Sequence, residues 1–344
     1  MKSKRRFLTV LVLLAVLAAS VIMATAIGAV AIPPGVTLRV IAAQLTGFFD
    51  LEGIAANTVS IIWQLRLPRV LLGALVGAAL ALAGVSFQGL LRNPLADPFT
   101  IGVSSGAATG ATLAIFLRQF FGLSFPQMVP LFAFAGAFVA LFFVYNLAKI
   151  GGQVPVVTLL LAGVVVSSFL SAVISLLMVL AGENMQGIFF WLSGGLLLRS
   201  WPEIWFVLPY LAAGFLILIS YARDLNVLLM GEEAAMSLGV NVEKTKKILL
   251  VTSSLVTAAA VSVSGMIGFV GLIIPHAVRI VSGPDHRILL PASALVGAAF
   301  LVWADVVART ALAPQEIPVG IITAFVGAPF FIYLLRKKKS EIRL

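Results

Sequence analysis

Residues 7–31 carry no charged side chain and almost nothing but apolar ones. The run is about 25 residues long, enough to cross roughly 30 Å of hydrocarbon as a helix. It follows Lys2, Lys4, Arg5 and Arg6. A basic start also opens a secretory signal, but the apolar core of a signal is only about 7–15 residues. The run therefore reads as a retained first membrane span with its N-terminus inside. Comparable runs recur at 67–91, 99–117, 127–148, 156–180, 204–222, 248–266, 288–308 and 317–335, with a shorter one at 268–281 that contains Pro275. That makes about ten spans. In lipid the backbone must satisfy its own hydrogen bonds, so the spans are helical and the expected class is all-α.

Charge supports this reading. The chain is 61% hydrophobic and 10% charged, where soluble domains carry about a quarter charged residues. Its net charge of +10 would suit nucleic acid, but the basic residues gather in the turns. Of the 23 Lys and Arg, all but Arg39, Arg66, Arg69, Arg118, Arg199 and Arg309 fall on the inner side of the proposed topology. That is the bias that fixes orientation in a membrane, and it places both termini inside. The expected partner is membrane lipid, and no nucleic acid. With no cysteine, disulfides and thiolate chemistry are excluded. His276 and His286 stand without further His or a carboxylate cluster, so neither a metal site nor a cofactor is expected.

Two enzyme-like or carrier-like features have simpler readings. Gly102-Val103-Ser104-Ser105-Gly106 fits a Gly-x-Ser-x-Gly nucleophile elbow, but that elbow needs a strand before it. In a lipid helix, Gly102, Gly106 and Gly110, like Gly73 and Gly77, allow close helix packing. Asp305 is the main acid near a membrane interior, with Arg309 one turn later. Ion-coupled carriers use several such groups, so an ion-coupled secondary transporter is the alternative rather than the first reading. The stretch with Trp191, Gly194, Gly195, Arg199 and Trp201 is either an outer half-helix near a substrate mouth or an aromatic anchor at the interface.

The most charged interval is 223–247, where Lys244, Lys246 and Lys247 place it inside. Within it Glu233-Ala234-Ala235-x-x-x-Gly239 reads as a short helix with a glycine stop. No lysine follows a glycine anywhere, so the chain has no phosphate-cradling Gly-Lys-Ser/Thr loop.

Glu-Ala-Ala-x-x-x-Gly resembles the coupling loop of ABC importer permeases. Leu65-Arg66-Leu67-Pro68-Arg69, Arg92-Asn93-Pro94-Leu95-Ala96-Asp97-Pro98, the Gly268–His276 stretch and Asp285-His286-Arg287 narrow the resemblance to FecCD-type permeases, which import iron–siderophore chelates, haem or cobalamin. The resemblance implies a polytopic membrane protein of ABC importer type II permease architecture, with residues 1–344 as one transmembrane domain and the coupling loop 223–247 between spans six and seven. It implies a transport subunit and not an enzyme: ATP hydrolysis belongs to a separate ATPase. The implied assembly is a homodimer of this chain, two ABC ATPase subunits and one periplasmic or lipid-anchored substrate-binding protein, in the cytoplasmic (inner) membrane. Glu232, Glu233, Ala234, Ala235, Leu238 and Gly239 would couple to the ATPase. Arg66, Arg69 and Arg309 would meet carboxylates of the binding protein. An iron chelate is the expected cargo, moved by alternating access along a path that these motifs do not locate.

Overall fold

The computed structural model of the chain describes residues 2–28 and 30–342, with side chains apart from those of residues 2–5, 184 and 334–342. The basic ends Lys2, Lys4, Arg5 and 336–339, which argue for two inner termini, therefore lie outside the described side chains. Among the described residues the regular structure is helical, with one isolated bridge between Ile150 and Gln153 closing a turn.

The first helix, α1, is Lys2–Ala26, and α2 is Pro34–Thr46, entered through proline and closed by Gly47 in the left-handed region. A continuous helix of 35 residues, Ala56–Leu90, is α3. It extends well beyond the second span expected from sequence, starting as α-helix at Ala56–Ser60 and passing through a π-helical stretch at Ile61–Arg66. Then come α4 (Val103–Phe121), α5 (Met128–Ala148), α6 (Val156–Ala181), α7 (Gln186–Leu192) and α8 (Trp201–Ser220). Two short helices follow, α9 (Ala222–Leu228) and α10 (Glu232–Ser237), before α11 (Val242–Ser264), α12 (Val270–Ser282), α13 (His286–Thr310) and α14 (Val319–Ile342).

Seven of these helices are long and apolar enough to cross a membrane: α1 from Arg6, α3, α5, α6, α8, α11 and α13. The glycine- and serine-rich α4, the 13-residue α12 and α14 complete the set. The innermost layer is α3, α11 and α13; α1 and α6 sit at the periphery, their apolar side chains largely uncovered.

Small residues bring the inner helices together. A Cβ on Gly77 would strike the Gly297 carbonyl, and one on Gly84 the Gly271 carbonyl, so α3 packs backbone to backbone on α13 and α12. Gly106 and Gly136 do the same for α4 and α5. The Gly-x-Ser-x-Gly stretch is thus packing surface: Ser104 is fully buried in α4, with no hydrogen-bond partner among the described residues.

At the end of the bundle read from the sequence as outer, three helix breaks meet. The chain leaves α7 through Gly194 and Gly195, leaves α11 through Gly265 and enters α14 at Gly320. The Gly195 N–H donates to the Ser264 carbonyl at 2.7 Å, and the Gly320 N–H to the Gly194 carbonyl at 3.2 Å. Phe269, just before α12, holds the left-handed φ of 69° that a bulky residue rarely adopts. Irregular backbone at membrane depth is tolerated where protein buries it or where it lines an aqueous cavity.

Candidate functional site

The site expected on the inner side is built on α10. Its Ala234 and Ala235 favour helix, and Gly239, at φ 82°, ends it. The Val240 N–H reaches the Ala235 carbonyl and the Gly239 N–H that of Met236, both at 3.0 Å, which is a Schellman close. Ala235 is fully buried beneath the helix. Glu232 accepts from Lys246 at 2.7 Å and lies 3.7 Å from Arg92, tying α10 to the start of α11 and to the turn after α3. Glu233, Leu238 and Gly239 face outward and Ala234 is half-buried. Around them Met230 (72% exposed), Met236 and Leu238 (59%) present uncovered apolar surface on a charged inner loop. Sequence reasoning named Leu238 but missed Met230 and Met236, whose apolar character alone does not separate them from lipid-facing residues.

Below α10, Asn226 of α9 donates to Asp285 at 2.8 Å and accepts from the backbone N–H of His286 at 2.9 Å. Arg6 of α1 pairs with Asp285 at 2.5 Å. Burial works against the charged Asp285 carboxylate. The hydrogen bonds from Asn226 and the Arg287 N–H, with the charges of Arg6 and Arg287, nonetheless hold it below its ordinary range. His286 is held within this network, at 2.8 Å from Asn226 through Nδ1.

The opposite rim, expected to be the outer one, carries the arginines. Arg66 and Arg69, three residues apart, divide their work. Arg66 is buried and donates to the carbonyls of Thr25, Ala26 and Val30, at and just beyond the C-terminal end of α1. That satisfies carbonyls a helix end leaves open. Arg69 forks onto Asp305 at 3.0 and 2.8 Å and pairs with Glu316 at 2.8 Å. Arg309 is buried beside Asp305 at 3.5 Å and donates to the Ala24 carbonyl. The three docking candidates are therefore gathered, as sequence placed them, on one rim, but they are internally bonded rather than free. Only Arg69 keeps an edge in the open, with 12% of its side chain exposed. The Arg69–Asp305 pair spans 236 residues of chain, and no local spacing announces it.

Inside this rim lies a cavity of about 630 Å³, lined by Arg69, Arg118, Arg199 and Glu316 among apolar side chains including Phe190 and Trp191. Burial pushes the Arg199 guanidinium below its ordinary value, against the attraction of Glu203. Among the described residues no group of three or more His, Cys, Asp or Glu could hold a metal.

A multi-pass helical bundle with a cavity at one end and a short helix exposing apolar side chains at the other has the architecture of a membrane transport protein. A model of the FecCD transport family matches residues 13–337, and the chain belongs to that family. It is 53% identical over 287 residues to the cobalamin import system permease BtuC of Halobacterium salinarum, covering 83% of this chain and 76% of that one. It is 40% identical over 291 residues to the hemin transport system permease HmuU of Yersinia pestis, covering 81% and 84%. A solved metal-chelate type ABC transporter in an inward-facing conformation superposes with a TM-score of 0.82 at 34% identity, covering 95% of this chain and 98% of that one. The chain is thus the multi-pass permease subunit of an ABC importer, a class that partners with ATPases and substrate-binding proteins and leaves hydrolysis to the ATPase.

Proposed function

We propose that this permease moves a large metal chelate inward by alternating access, and that α10 is the contact with its ATPase. The carrying observation is the uncovered apolar set Met230, Met236 and Leu238 on a short helix anchored by buried Ala235 and by the Glu232–Lys246 pair. A soluble loop exposing such side chains suits a protein groove. Glu232, Glu233, Ala234 and Gly239 set the helix's charge, start and stop; Leu238 touches the partner. Nucleotide-driven closure of the ATPases then shifts an existing equilibrium between inward- and outward-open forms. Both termini lie on the same side as α10, the cytoplasmic side of the inner membrane.

Arg69 is the residue we assign to binding-protein docking, with Arg66 and Arg309 fixing it and its neighbours from behind. Two copies of the chain meet through α6, which exposes Ser168, Ser171 and Ser175 on one face. The names of the relatives span cobalamin, hemin and iron chelates. The 53%-identical cobalamin permease makes cobalamin the first cargo to test, ahead of the iron chelate suggested by sequence.

Leu238→Asp tests the coupling role, since Leu238 is exposed and its loss leaves the fold intact. The variant is expected to purify normally but to lose most co-purifying ATPase and ATP-driven uptake. Undiminished ATPase recovery would remove the assignment of α10.

A further inference from the structure

The geometry points to an oxyanion-binding site inside the outer cavity, formed by Arg118 and Arg199, that receives a carboxylate or phosphate group of the cargo. This rests on the importer reading and names the chemical class of what enters.

The charges come first. Three arginines and one glutamate line the cavity. Glu316 and Asp305 are both committed to Arg69, which leaves Arg118 and Arg199 as its cations without an acid in ion-pair contact, Glu203 attracting Arg199 from farther off. Among the described residues, no ion pair or hydrogen bond engages Arg118 or Arg199. Excess charge of one sign in a low-dielectric cleft concentrates the opposite ion.

The donors point the same way. Arg118 and the terminal nitrogens of Arg199 line the cavity without a hydrogen-bond partner among the described residues, while the unpartnered Arg199 Nε and Trp191 Nε1 have no accessible surface and sit behind the wall. A guanidinium only donates, and its planar fork binds an oxyanion best. The two arginines come from separate elements: Arg118 from the last turn of α4 and Arg199 from the segment leading into α8. The irregular backbone at Gly194 and Gly195 is what carries the chain from Trp191 to Arg199 across the cavity wall.

The test uses the full-length permease in phosphatidylcholine nanodiscs, titrated calorimetrically with citrate and with inorganic phosphate. Saturable binding of at least one anion is expected. Arg118→Gln, Arg199→Gln and Arg199→Lys should each weaken it about tenfold or more, as loss of a charge-assisted bond does; Arg39→Gln should leave it unchanged. Arg118 is exposed, so its variant reads the site even if Arg199→Gln fails to fold. No binding to the wild type, or equal binding by a folded Arg118→Gln protein, overturns the inference. So does displacement of citrate by added phosphatidylglycerol, which would assign the site to a lipid headgroup. ATPase co-purification is scored on the same preparations. Its absence would sink the importer reading, while missing anion binding beside a retained ATPase would sink this inference alone.

Discussion

Asp305 shows how much one buried carboxylate can hold. It is 1% exposed and serves Arg69 and Arg309 together. Removing one partner of a buried ion pair leaves uncompensated charge and costs about 3–5 kcal/mol. Asp305→Asn is therefore expected to lower the thermal unfolding midpoint in detergent severely, and a loss no larger than that of a surface change would contradict the pairing. Asp97 behaves differently. It sits in the turn between α3 and α4, where burial pushes its carboxyl up to about 6 from 3.8 despite the hydrogen bond it accepts from the Phe99 N–H. Between those values the folded chain keeps a proton that the unfolded chain has released. The resulting stability is full below about pH 4 and is lost as pH rises through 6. Asp97→Asn, which retains the Phe99 acceptor, should flatten that part of the stability profile. An unchanged slope between pH 4 and 6 would show that Asp97 does not titrate there.

At the level of elements, glycine decides which helices can touch. Any side chain at Gly77 meets the backbone of Gly297, which has nowhere to move, and overpacking of this kind costs about 1–3 kcal/mol or more. Gly77→Val should yield aggregated or poorly expressed protein, whereas Gly35→Ala, in open space, should behave as wild type on size exclusion. Hydropathy made most of the helices legible, since each span must be apolar through its length. The short helix α10 was legible for another reason: Ala-Ala followed by Gly239 carries both its propensity and its stop. The extension of α3 back to Ala56 was not, because the residues before Leu67 include Asn57, Gln64 and Arg66 and look like loop. Their helix is held by α2 and the end of α1, a tertiary effect that periodicity does not report. The arginines were read from the sequence as outer residues, but whether each pairs inward or stays free depends on helix contacts across the whole chain.

For the whole molecule, the peripheral position of α6 is the feature that asks for a second copy. Its outward serines Ser168, Ser171 and Ser175 sit three and four residues apart, a spacing that keeps them on one face. The chain has no cysteine, so a single introduced thiol reports without background. Ser171→Cys is expected to form a disulfide-linked dimer in oxidised membranes, while Phe7→Cys on the exposed face of α1 is not. Equal cross-linking at both positions would argue for random collision rather than an interface.

One further consequence follows from α3. At about 1.5 Å per residue its 35 residues form a rod of roughly 52 Å. Arg69, only a few residues from its middle, is bound to the rim, and Arg92, just beyond its C-terminal end, reaches Glu232 of α10. A tilt of about 5° around the Arg69 anchor would swing that far end, about 32 Å away, by about 3 Å. A small rotation at the rim would thereby arrive enlarged at α10, as a matter of leverage.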